Sequence, residues 1–428
     1  MTQKILILYE NVGSGHKRVA DILETILSEV EDVQVVSYAA SELFNDSTIQ
    51  LVNRLWTMFL RRNWIRLTDG FINFFLRIWV APIVEALETG NYLDKLEGID
   101  PDILICTYDA FGKVLGTYAQ EKDIPYFLVI TDHSIFSDLV NPHATHLCYF
   151  PETINAVRSF DMQTTYFAQQ IDRDSSTWDK LKYVIQMYRD HALFRSRHTI
   201  FRNIDRVHRE QNMAKAIAVG PIVEPAYYGK QNQREMRDKH NIDIDTSCLL
   251  VVSGSIGGSF ISDMVHTFQQ QVTEPLTILA VCGRDQKSFE TVCGMQERKS
   301  QVKVIPLGFV DYLHELYVAA DAVVARPSAG VLLESLMCRT PLITTELATA
   351  NDLGGIELIK GHQLGEVYRR SEEVPGLFRR MMTQRQRYID NIDRLLASYP
   401  ASFADFAGQM REIILPASRR VAGWCQML

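Results

Sequence analysis

The sequence predicts an α/β protein built from two doubly wound domains, and three observations support this prediction. Short apolar stretches alternate with longer stretches of helical character along most of the chain. The alternation starts again near Gly220, after a first series of four predicted strands. With 428 residues, the chain is too long for one ordinary hydrophobic core. Since apolar strands separated by helices form parallel sheets buried on both faces, we expect one such sheet in each half.

The first domain is predicted over residues 1–217. The opening MTQKILILYE contains an apolar run of five residues with no small-residue cleavage site after it, which predicts a strand and argues against a signal peptide. Three further apolar runs follow in this half. The predicted strands are 4–9, 33–37, 103–107 and 126–131.

The second domain is predicted over residues 218–400. The stretch AVGPIVEPAYYG at 218–229 holds two prolines and two glycines, and we interpret it as the hinge between the domains. Residues 404–414, within the terminal 401–428 segment, are predicted to form a helix that packs back on the first domain. The predicted strands of the second domain are 248–253, 277–282, 302–305, 322–324 and 341–344.

Composition excludes several classes of protein. A net charge of -8 without any basic tract argues against nucleic-acid binding. The seven cysteines are odd in number and never occur as CxxC, which favours free thiols in a reducing compartment and argues against structural zinc. We therefore expect a cytoplasmic protein without a metal.

Two glycine-rich loops follow predicted strands, at the sheet edge where doubly wound domains bind ligands. The first is NVGSGH, with Gly15 and His16 opening a helix. The second is SGSIGG, with Ser255, Gly257 and Gly258. Such loops let backbone N–H groups approach an anion, although a tight turn with a surface histidine would explain the first loop equally well.

A third candidate for anion binding lies in VVARPSAGVLLESL, residues 323–336. Here a predicted strand runs through Arg326 into a helix that opens at Ser328. Ser328 could serve simply as the N-cap, or the open N–H groups at that end could hold a diphosphate. Glu334 follows about two turns into the helix.

These loops form part of a longer pattern. The stretches GSGHKRVA, GPIVEP, SGSIGG and PLGFVDYLHELYVAADAVVARPSAGVLLESLMCRTPLI occur in this order, followed by a small-residue segment. Together they resemble the GT-B glycosyltransferases that make diacylglycerol glycolipids, the monogalactosyl- and processive glucosyl-diacylglycerol synthases, and the related peptidoglycan lipid-intermediate N-acetylglucosaminyltransferase. The resemblance covers most of 1–150 and 216–360, and 308–341 is its most specific part. It implies the GT-B fold, two Rossmann-like domains facing a cleft.

The resemblance implies transfer of a sugar from a UDP-sugar to a lipid hydroxyl, with inversion and without a bound cofactor or metal. On the matching motif, the carboxylate of Glu334 would accept hydrogen bonds from the ribose hydroxyls. Phe309 and Val310 match the place where the uracil ring packs, and Arg326 matches a basic position that supports the adjoining loop. The residues expected to line the diphosphate are Ser255, Gly257, Gly258, Ser328 and Ala329.

The acceptor side is expected to carry the general base. His16 would face the acceptor hydroxyl, where an imidazole can take a proton near neutral pH. The stretch ITDHSIFSDL supplies Asp132 and His133 at another strand end. Either His16 or Asp132 could be the base, and Asp132 could instead orient a histidine or cap the following segment.

The sequence departs from the family pattern in two places. The family usually carries a histidine and a tryptophan shortly after the Thr-Asp pair, where this chain has other residues, so His133 is a candidate substitute. The donor-sugar segment usually carries a Gln-Glu pair and an Asn, whereas TTELATANDLGGIEL offers Asn351 and Asp352. The identity of the sugar therefore stays open.

Residues 54–80 predict peripheral contact with an anionic membrane. This stretch holds three of the five tryptophans, four phenylalanines, and five arginines against one aspartate. The arginines interrupt it too often for a spanning helix but suit an interfacial one on the inner face of a membrane. An amphipathic pair of core helices with arginines facing water would also explain the pattern.

Residues 170–212 form a predicted helical insertion that is longer than the resembled family usually has at this place. Such an arm could cover the acceptor cleft, contact lipid or pair subunits.

The function expected from these observations is inverting transfer of a sugar from a UDP-sugar to a diacylglycerol-type lipid. Three alternatives stay open: a transferase of similar fold acting on a soluble or natural-product acceptor, a non-hydrolysing sugar-nucleotide epimerase, and a catalytically inactive sugar-nucleotide-binding protein. The altered donor-sugar segment motivates the last of these.

Overall fold

A computed structural model of the chain describes residues 2–11, 15–45, 47–62, 64–108, 111–136, 139–160, 174–194, 214–229, 232–253, 259–296 and 301–415. The described residues form two compact units. The first unit takes those within 1–56, 66–222 and 403–428, and the second takes those within 57–65 and 223–402. Each unit contains one six-stranded sheet whose neighbouring strands all run parallel. The prediction of two parallel α/β domains is confirmed.

The sheet of the first unit has the strand order β2-β1-β3-β4-β5-β6. Its central strands are buried along their whole length, because helices cover both faces. All four predicted strands are present, and β5 and β6 were not predicted. The six strands are β1 (Gln3–Tyr9), β2 (Val33–Ala39), β3 (Ile103–Cys106), β4 (Tyr126–Val129), β5 (Thr145–Cys148) and β6 (Lys215–Ala218).

Strand β5 escaped prediction because it carries a histidine in its middle. His146 is fully buried, yet both of its ring nitrogens are used. Its Nε2 accepts from the backbone N–H of Asn141 (3.0 Å), and its Nδ1 donates to the carbonyl of Lys215 (2.8 Å). The imidazole therefore joins β5 to the edge strand β6, a contact that hydrophobic patterning does not predict.

The helices of the first unit connect these strands and cover the sheet. A π-helical stretch, Thr68–Val80, runs directly into α5, and the predicted insertion contains the helix α8. The helices are α1 (Gly15–Ser28), α2 (Ala40–Leu43), α3 (Ser47–Arg61), α4 (Ile65–Leu67), α5 (Ala81–Ile99), α6 (Gly112–Lys122), α7 (Pro151–Arg158) and α8 (Thr177–Phe194), with α3 extending into the residues grouped with the second unit.

The sheet of the second unit has the order β12-β11-β10-β7-β8-β9. All five predicted strands are present. The sixth, β12, was missed because it begins with Gly365, where a Cβ atom would lie 1.9 Å from the carbonyl oxygen of Leu342. The strands are β7 (Ser247–Val252), β8 (Leu276–Val281), β9 (Val302–Leu307), β10 (Ala322–Ala325), β11 (Leu342–Thr345) and β12 (Gly365–Tyr368).

The helices of the second unit pack on both faces of this sheet. Phe268 and Phe378, from two of them, meet edge to face with ring centroids 6.0 Å apart in the core. The helices are α9 (Gln233–Lys239), α10 (Phe260–Gln271), α11 (Gln286–Cys293), α12 (Leu313–Ala319), α13 (Ala329–Met337), α14 (Leu353–His362), α15 (Val374–Thr383) and α16 (Arg385–Leu396), with short 3-10 turns at Pro225–Tyr227 and Ser371–Glu373.

A final helix, α17 (Phe403–Ile414), groups with the first unit. It packs on α1, where Arg411 donates to the carbonyl of Ile26 (3.0 Å) and pairs with Glu29. The last turn of α1 is thus held by a residue almost four hundred positions later in the chain.

Acid should destabilise the first unit through its buried histidines. Burial lowers the pKa of His133 and of His146 from 6.5 to about 4, because an imidazolium in the protein interior loses its hydration. A histidine whose pKa is lower in the folded state stabilises the fold fully above the unfolded pKa, and this stability is lost as the pH falls from 6.5 towards 4. Each histidine should cost about 2 kcal/mol of unfolding free energy between pH 7.5 and pH 5, measurable by urea unfolding.

The variant His133→Phe isolates one of these contributions. Neither ring nitrogen of His133 has a hydrogen-bond partner among the described residues, and the ring stacks on Phe150 with centroids 5.9 Å apart. Phenylalanine should therefore fit, and the loss of stability on acidification should shrink by about 2 kcal/mol. An unchanged pH dependence would contradict the assignment.

Candidate active site

In the first unit, polar side chains gather at the carboxyl ends of β1, β3 and β4. His16 is the second residue of α1, the helix that follows β1. Its Nδ1 lies 2.5 Å from the carbonyl oxygen of Thr107, directly after β3, and 3.0 Å from the hydroxyl of Thr131, shortly after β4. The hydroxyl of Thr107 donates in return to the backbone carbonyl of His16 (3.0 Å). Two strand ends thus fix the position of one imidazole.

This arrangement selects the tautomer of His16. A carbonyl oxygen only accepts hydrogen bonds, so the Nδ1 atom 2.5 Å from Thr107 must carry the proton. The lone pair of the neutral ring then resides on Nε2. His16 is half-buried, and its ring meets Tyr108 edge to face with centroids 5.3 Å apart. The residue therefore has the form that a general base needs, with one nitrogen held and the other able to accept a proton.

Sequence reasoning missed the residues that build this arrangement, Thr107, Thr131 and Glu10. The carboxylate of Glu10 is buried directly after β1 and accepts from the N–H and hydroxyl of Ser41 and from the N–H of Asn11, each at 2.9 Å. It ties the end of β1 to the chain after β2. The sequence does show a glutamate directly after the apolar run of β1, and this placement is the signal by which Glu10 could have been found.

The other predicted residues of the acceptor side lie close by in sequence but differ in exposure. Asp132 is half-buried after β4, and its charge contributes to the raised pKa of Tyr149, for which burial is the main cause. His133 is only 1% exposed and stacks on Phe150, so its ring does not reach the surface. We therefore leave His133 out of the reaction proposed below. Of the first glycine loop, 12–14 lie outside the described residues, and Gly15 is exposed at the start of α1.

In the second unit, the predicted diphosphate site centres on the start of α13. Ser328 occupies the N-cap position with extended backbone angles (φ -69°, ψ 145°), but its side chain makes no capping hydrogen bond. Helical bonding begins with the N–H of Leu332 donating to the carbonyl of Ser328 (3.0 Å). The preceding N–H groups, including that of Ala329, have no partner within the helix, which is the arrangement that favours anions at a helix start. Ser255, Gly257 and Gly258 lie outside the described residues.

Glu334 lies in the same helix and is 3% exposed. Its carboxylate faces the fully buried Tyr317, whose pKa is raised well above its usual range, first by burial and then by the charge of Glu334. The pKa of the Cys338 thiol is raised in the same way, first by burial and then by the charge of Glu334. The carboxylate thus sits in a low-dielectric environment in which each hydrogen bond it accepts counts more than in water.

Arg326 and Asp352 approach each other between β10 and α14. Burial lowers the pKa of the Arg326 guanidinium, and the charge of Asp352 acts in the opposite direction. Asp352 stands at the start of α14 and accepts a hydrogen bond from the hydroxyl of Thr349 (2.9 Å). Asn351 precedes it and is half-buried. Both residues of the predicted sugar segment therefore lie at the beginning of one helix.

An exposed aromatic ring lies beyond the carboxyl ends of β8 and β9. Phe309 is 64% exposed, and the guanidinium of Arg284 lies over its ring at 4.8 Å. Val310 follows and is half-buried. Arg284, which sequence reasoning missed, comes after Gly283, whose φ of +59° marks a turn at the end of β8. A ring open to solvent on one face suits stacking with a planar base.

The aromatic segment 54–80 is helical over most of its described part, with Arg62 and Trp64 in the connection between α3 and α4. It comprises the end of α3, α4 and the π-helical stretch, with the guanidinium of Arg62 over the ring of Trp64 at 4.9 Å. Among the helices in the described part of the chain, none has both the length and the apolar character that crossing a bilayer requires.

The chain also matches known proteins by sequence. Residues 248–353 match the glycosyltransferase family 28 C-terminal domain. A UDP-N-acetylglucosamine–N-acetylmuramyl-(pentapeptide) pyrophosphoryl-undecaprenol N-acetylglucosamine transferase of Opitutus terrae is 30% identical over 122 residues, which cover 28% of this chain and 32% of that relative. A processive diacylglycerol beta-glucosyltransferase of Staphylococcus carnosus is 18% identical over 378 residues, covering 87% of this chain and 82% of that relative.

A solved structure shows the fold. MurG of Acinetobacter baumannii has a TM-score of 0.57 at 14% identity, covering 96% of this chain and 99% of that one. The predicted GT-B fold is thus confirmed. The predicted resemblance is confirmed as well, and together the comparisons support a glycosyltransferase.

If the hydroxyl of Ser328 serves a ligand rather than the helix, removing it should hardly affect stability. We expect Ser328→Ala to change the unfolding free energy by less than about 0.5 kcal/mol, whereas a working N-cap side chain contributes about 1 kcal/mol. The matched control is Asp285→Ala, because Asp285 caps α11 through its carboxylate, which accepts from the N–H of Ser288 (3.1 Å). Urea unfolding compares the two variants, and equal losses would show that Ser328 is an ordinary cap.

Proposed function

We propose that this chain is an inverting glycosyltransferase that moves a sugar from a UDP-sugar to the hydroxyl of a diacylglycerol-type lipid at a membrane surface. The start of α13 carries the proposal. There a helix with open N–H groups and an unengaged N-cap side chain is followed by the buried Glu334, within the segment that matches the family 28 C-terminal domain. The alignment with a diacylglycerol glucosyltransferase over most of the chain supports the lipid acceptor.

The donor would be bound by the second unit. The carboxylate of Glu334 would accept from both ribose hydroxyls, and the exposed ring of Phe309 would pack on the uracil. The N–H groups at the start of α13, with Ser328, would bind the diphosphate. We propose no metal for this UDP-sugar site, because the start of α13 would supply the positive potential that the leaving diphosphate requires. Asn351 and Asp352 would contact hydroxyls of the transferred sugar.

The acceptor would be activated by His16. Its Nε2 takes the proton of the acceptor hydroxyl while that oxygen attacks the anomeric carbon of the donor sugar. The bond from this carbon to the β-phosphate oxygen breaks, and its electron pair leaves with UDP. Attack from the face opposite the leaving group inverts the anomeric centre. The hydrogen bond from Nδ1 to Thr107 stabilises the imidazolium that forms, in the way that a base is oriented in other active sites.

Membrane association is part of the proposal. Because a diacylglycerol acceptor resides in a bilayer, the enzyme must work at its surface, and the arginine-rich aromatic segment 54–80 has the composition of an interfacial contact. We place the protein on the cytoplasmic face as a peripheral enzyme.

Measurement of UDP release from a panel of UDP-sugars tests the proposal. Release should require vesicles that contain diacylglycerol together with an anionic lipid, and a new glycolipid should form, identifying the sugar. The control is Glu334→Gln, which keeps the shape of the side chain but should weaken UDP binding, by about 1–3 kcal/mol for a lost hydrogen bond to a charged acceptor. UDP binding without release under any lipid condition would contradict the proposal, and release without lipid would indicate transfer of the sugar to water.

The choice of base has a test of its own. His16→Ala should lower kcat about 10²–10⁴-fold, the usual share of general base catalysis, with UDP affinity within about twofold of the wild type. His16→Asn serves as the control for position, because its amide can still donate to the Thr107 carbonyl although it cannot accept a proton; it should be as inactive as His16→Ala. If Asp132→Asn instead causes the larger loss of kcat, Asp132 is the base.

A further inference from the structure

The turns after β8 and β9 run side by side at the carboxyl edge of the second sheet. Pairing continues one residue beyond β8, where the N–H of Cys282 donates to the carbonyl of Leu307 (2.8 Å). A Cβ atom placed on Gly308 would lie 3.9 Å from the carbonyl oxygen of Gly283, so the two turns are within contact distance. The residues that follow these two glycines in the chain are therefore brought next to each other.

These two residues are Arg284 and Phe309, and they form a cation–π pair. The guanidinium carbon of Arg284 lies 4.8 Å from the centre of the Phe309 ring. This distance is within the range of about 6 Å over which a guanidinium and an aromatic face attract each other. Phe309 is 64% exposed. The guanidinium thus covers one face of the ring, and much of the ring stays open to solvent.

Arg284 has no carboxylate partner in the described part of the chain. The side chain is exposed and makes no ion pair or hydrogen bond there, although Asp285 and Asp311 lie close to the pair in sequence. The carboxylate of Asp285 instead serves as the N-cap of α11. Exposed arginines elsewhere in the unit do pair with acids, as Arg380 does with Glu366 (2.8 Å). The ring of Phe309, rather than a carboxylate, therefore holds this guanidinium.

The strand order places Arg284 on the side of the site where the base is expected. Strand β8 adjoins β9, which Phe309 follows, whereas β7 separates β8 from β10, the strand that leads to α13. Because neighbouring strands lie about 4.8 Å apart, the ends of β8 and β10 are separated by about 10 Å. A guanidinium that lies over Phe309 is directed towards β9 and away from β10. Its position therefore favours a role at the base over one at the diphosphate.

Holding the ring in one orientation favours the binding of a planar ligand. An exposed phenylalanine samples several rotamers, and a base that stacks on the ring must select one of them at a cost in side-chain entropy. The guanidinium of Arg284 removes part of this cost before the ligand arrives, because it attracts the ring from one face. The opposite face then stays available for stacking.

We propose that Arg284 is a positioning residue of the donor site. Its guanidinium holds the ring of Phe309 from one side, so that the other side of the ring packs on the uracil. The inference rests on the proposed function, which puts a uridine nucleotide in the second unit. It adds a residue that acts through Phe309 instead of touching the donor. Contact of Arg284 with the diphosphate is the competing role, and the experiment below distinguishes the two.

Titration calorimetry of the full-length protein with uridine, UMP and UDP tests this inference, with the weaker ligands measured by displacement of UDP. Arg284→Ala should weaken the binding of all three by the same factor, about two- to fivefold, the size of a cation–π contact at an exposed site. Phe309→Ala should cost about tenfold, since the stack itself is lost. In that background Arg284→Ala should have no further effect. The matched control is Arg234→Ala, which removes an exposed arginine of α9 and should bind like the wild type.

Unchanged affinities in Arg284→Ala would overturn the inference, and so would a loss that persists when Phe309 is already alanine. A loss that is absent for uridine, grows with the number of phosphates and shrinks at high salt would assign Arg284 to the diphosphate instead. These measurements need no sugar transfer. If the variants behave as expected but no glycolipid forms, the positioning role stands and the proposed reaction fails. If the wild type binds no UDP, the proposed function fails and this inference fails with it.

Discussion

Burial of the parallel strands on both faces is the constraint on which the rest of this structure depends. Strands such as β3 and β4 are buried at every residue, so they cannot carry polar chemistry without a large desolvation cost. Polar side chains therefore gather mainly where the strands end, and one inside a strand, such as His146 in β5, needs partners for its polar atoms. Since neighbouring parallel strands end at the same edge, residues far apart in sequence meet there. The register that pairs Leu8 with Cys106, and Cys106 with Leu128, accounts for how His16 reaches the residues after both β3 and β4.

The polar groups at the two ends of the second sheet differ in how fully they are bonded. At the amino ends, Arg237 is buried and donates to Asp321 (2.7 Å) and to the carbonyls of Ala319, Ile244 and Thr246, while Asp321 also accepts from the N–H of Cys248 (2.8 Å). A buried ion pair is tolerable only when its hydrogen-bonding capacity is used in this way. At the carboxyl ends, by contrast, Ser328 makes no capping bond and Phe309 is open to solvent. The fully bonded end suits a structural role, and the end with unused groups suits a ligand.

The sequence was sufficient to predict nine of the strands and both sheets, because long apolar runs of strand length have few other interpretations. It was not sufficient where the signal is non-local. Strand β5 depends on the contacts of His146 with Asn141 and Lys215, and β12 begins with a glycine required by its neighbour. In the candidate site, His16 stood out as a histidine in a glycine loop. Thr107 and Thr131 did not, because a threonine after a strand gains meaning only when the strand order places it beside an imidazole.

The environment of Glu334 bears on how the proposed enzyme would select its donor. A carboxylate that is 3% exposed has already lost most of its hydration, so it gains more from a hydroxyl donor than an exposed carboxylate would. Tyr317 lies beside it, and its pKa is raised first by burial and then by the charge of Glu334. A ribose offers two hydroxyls to the carboxylate, and a deoxyribose offers one. In the proposed function a deoxynucleotide would thus remove one of the two hydrogen bonds that the carboxylate accepts from the ligand, and such a site discriminates by that lost hydrogen bond rather than by its shape.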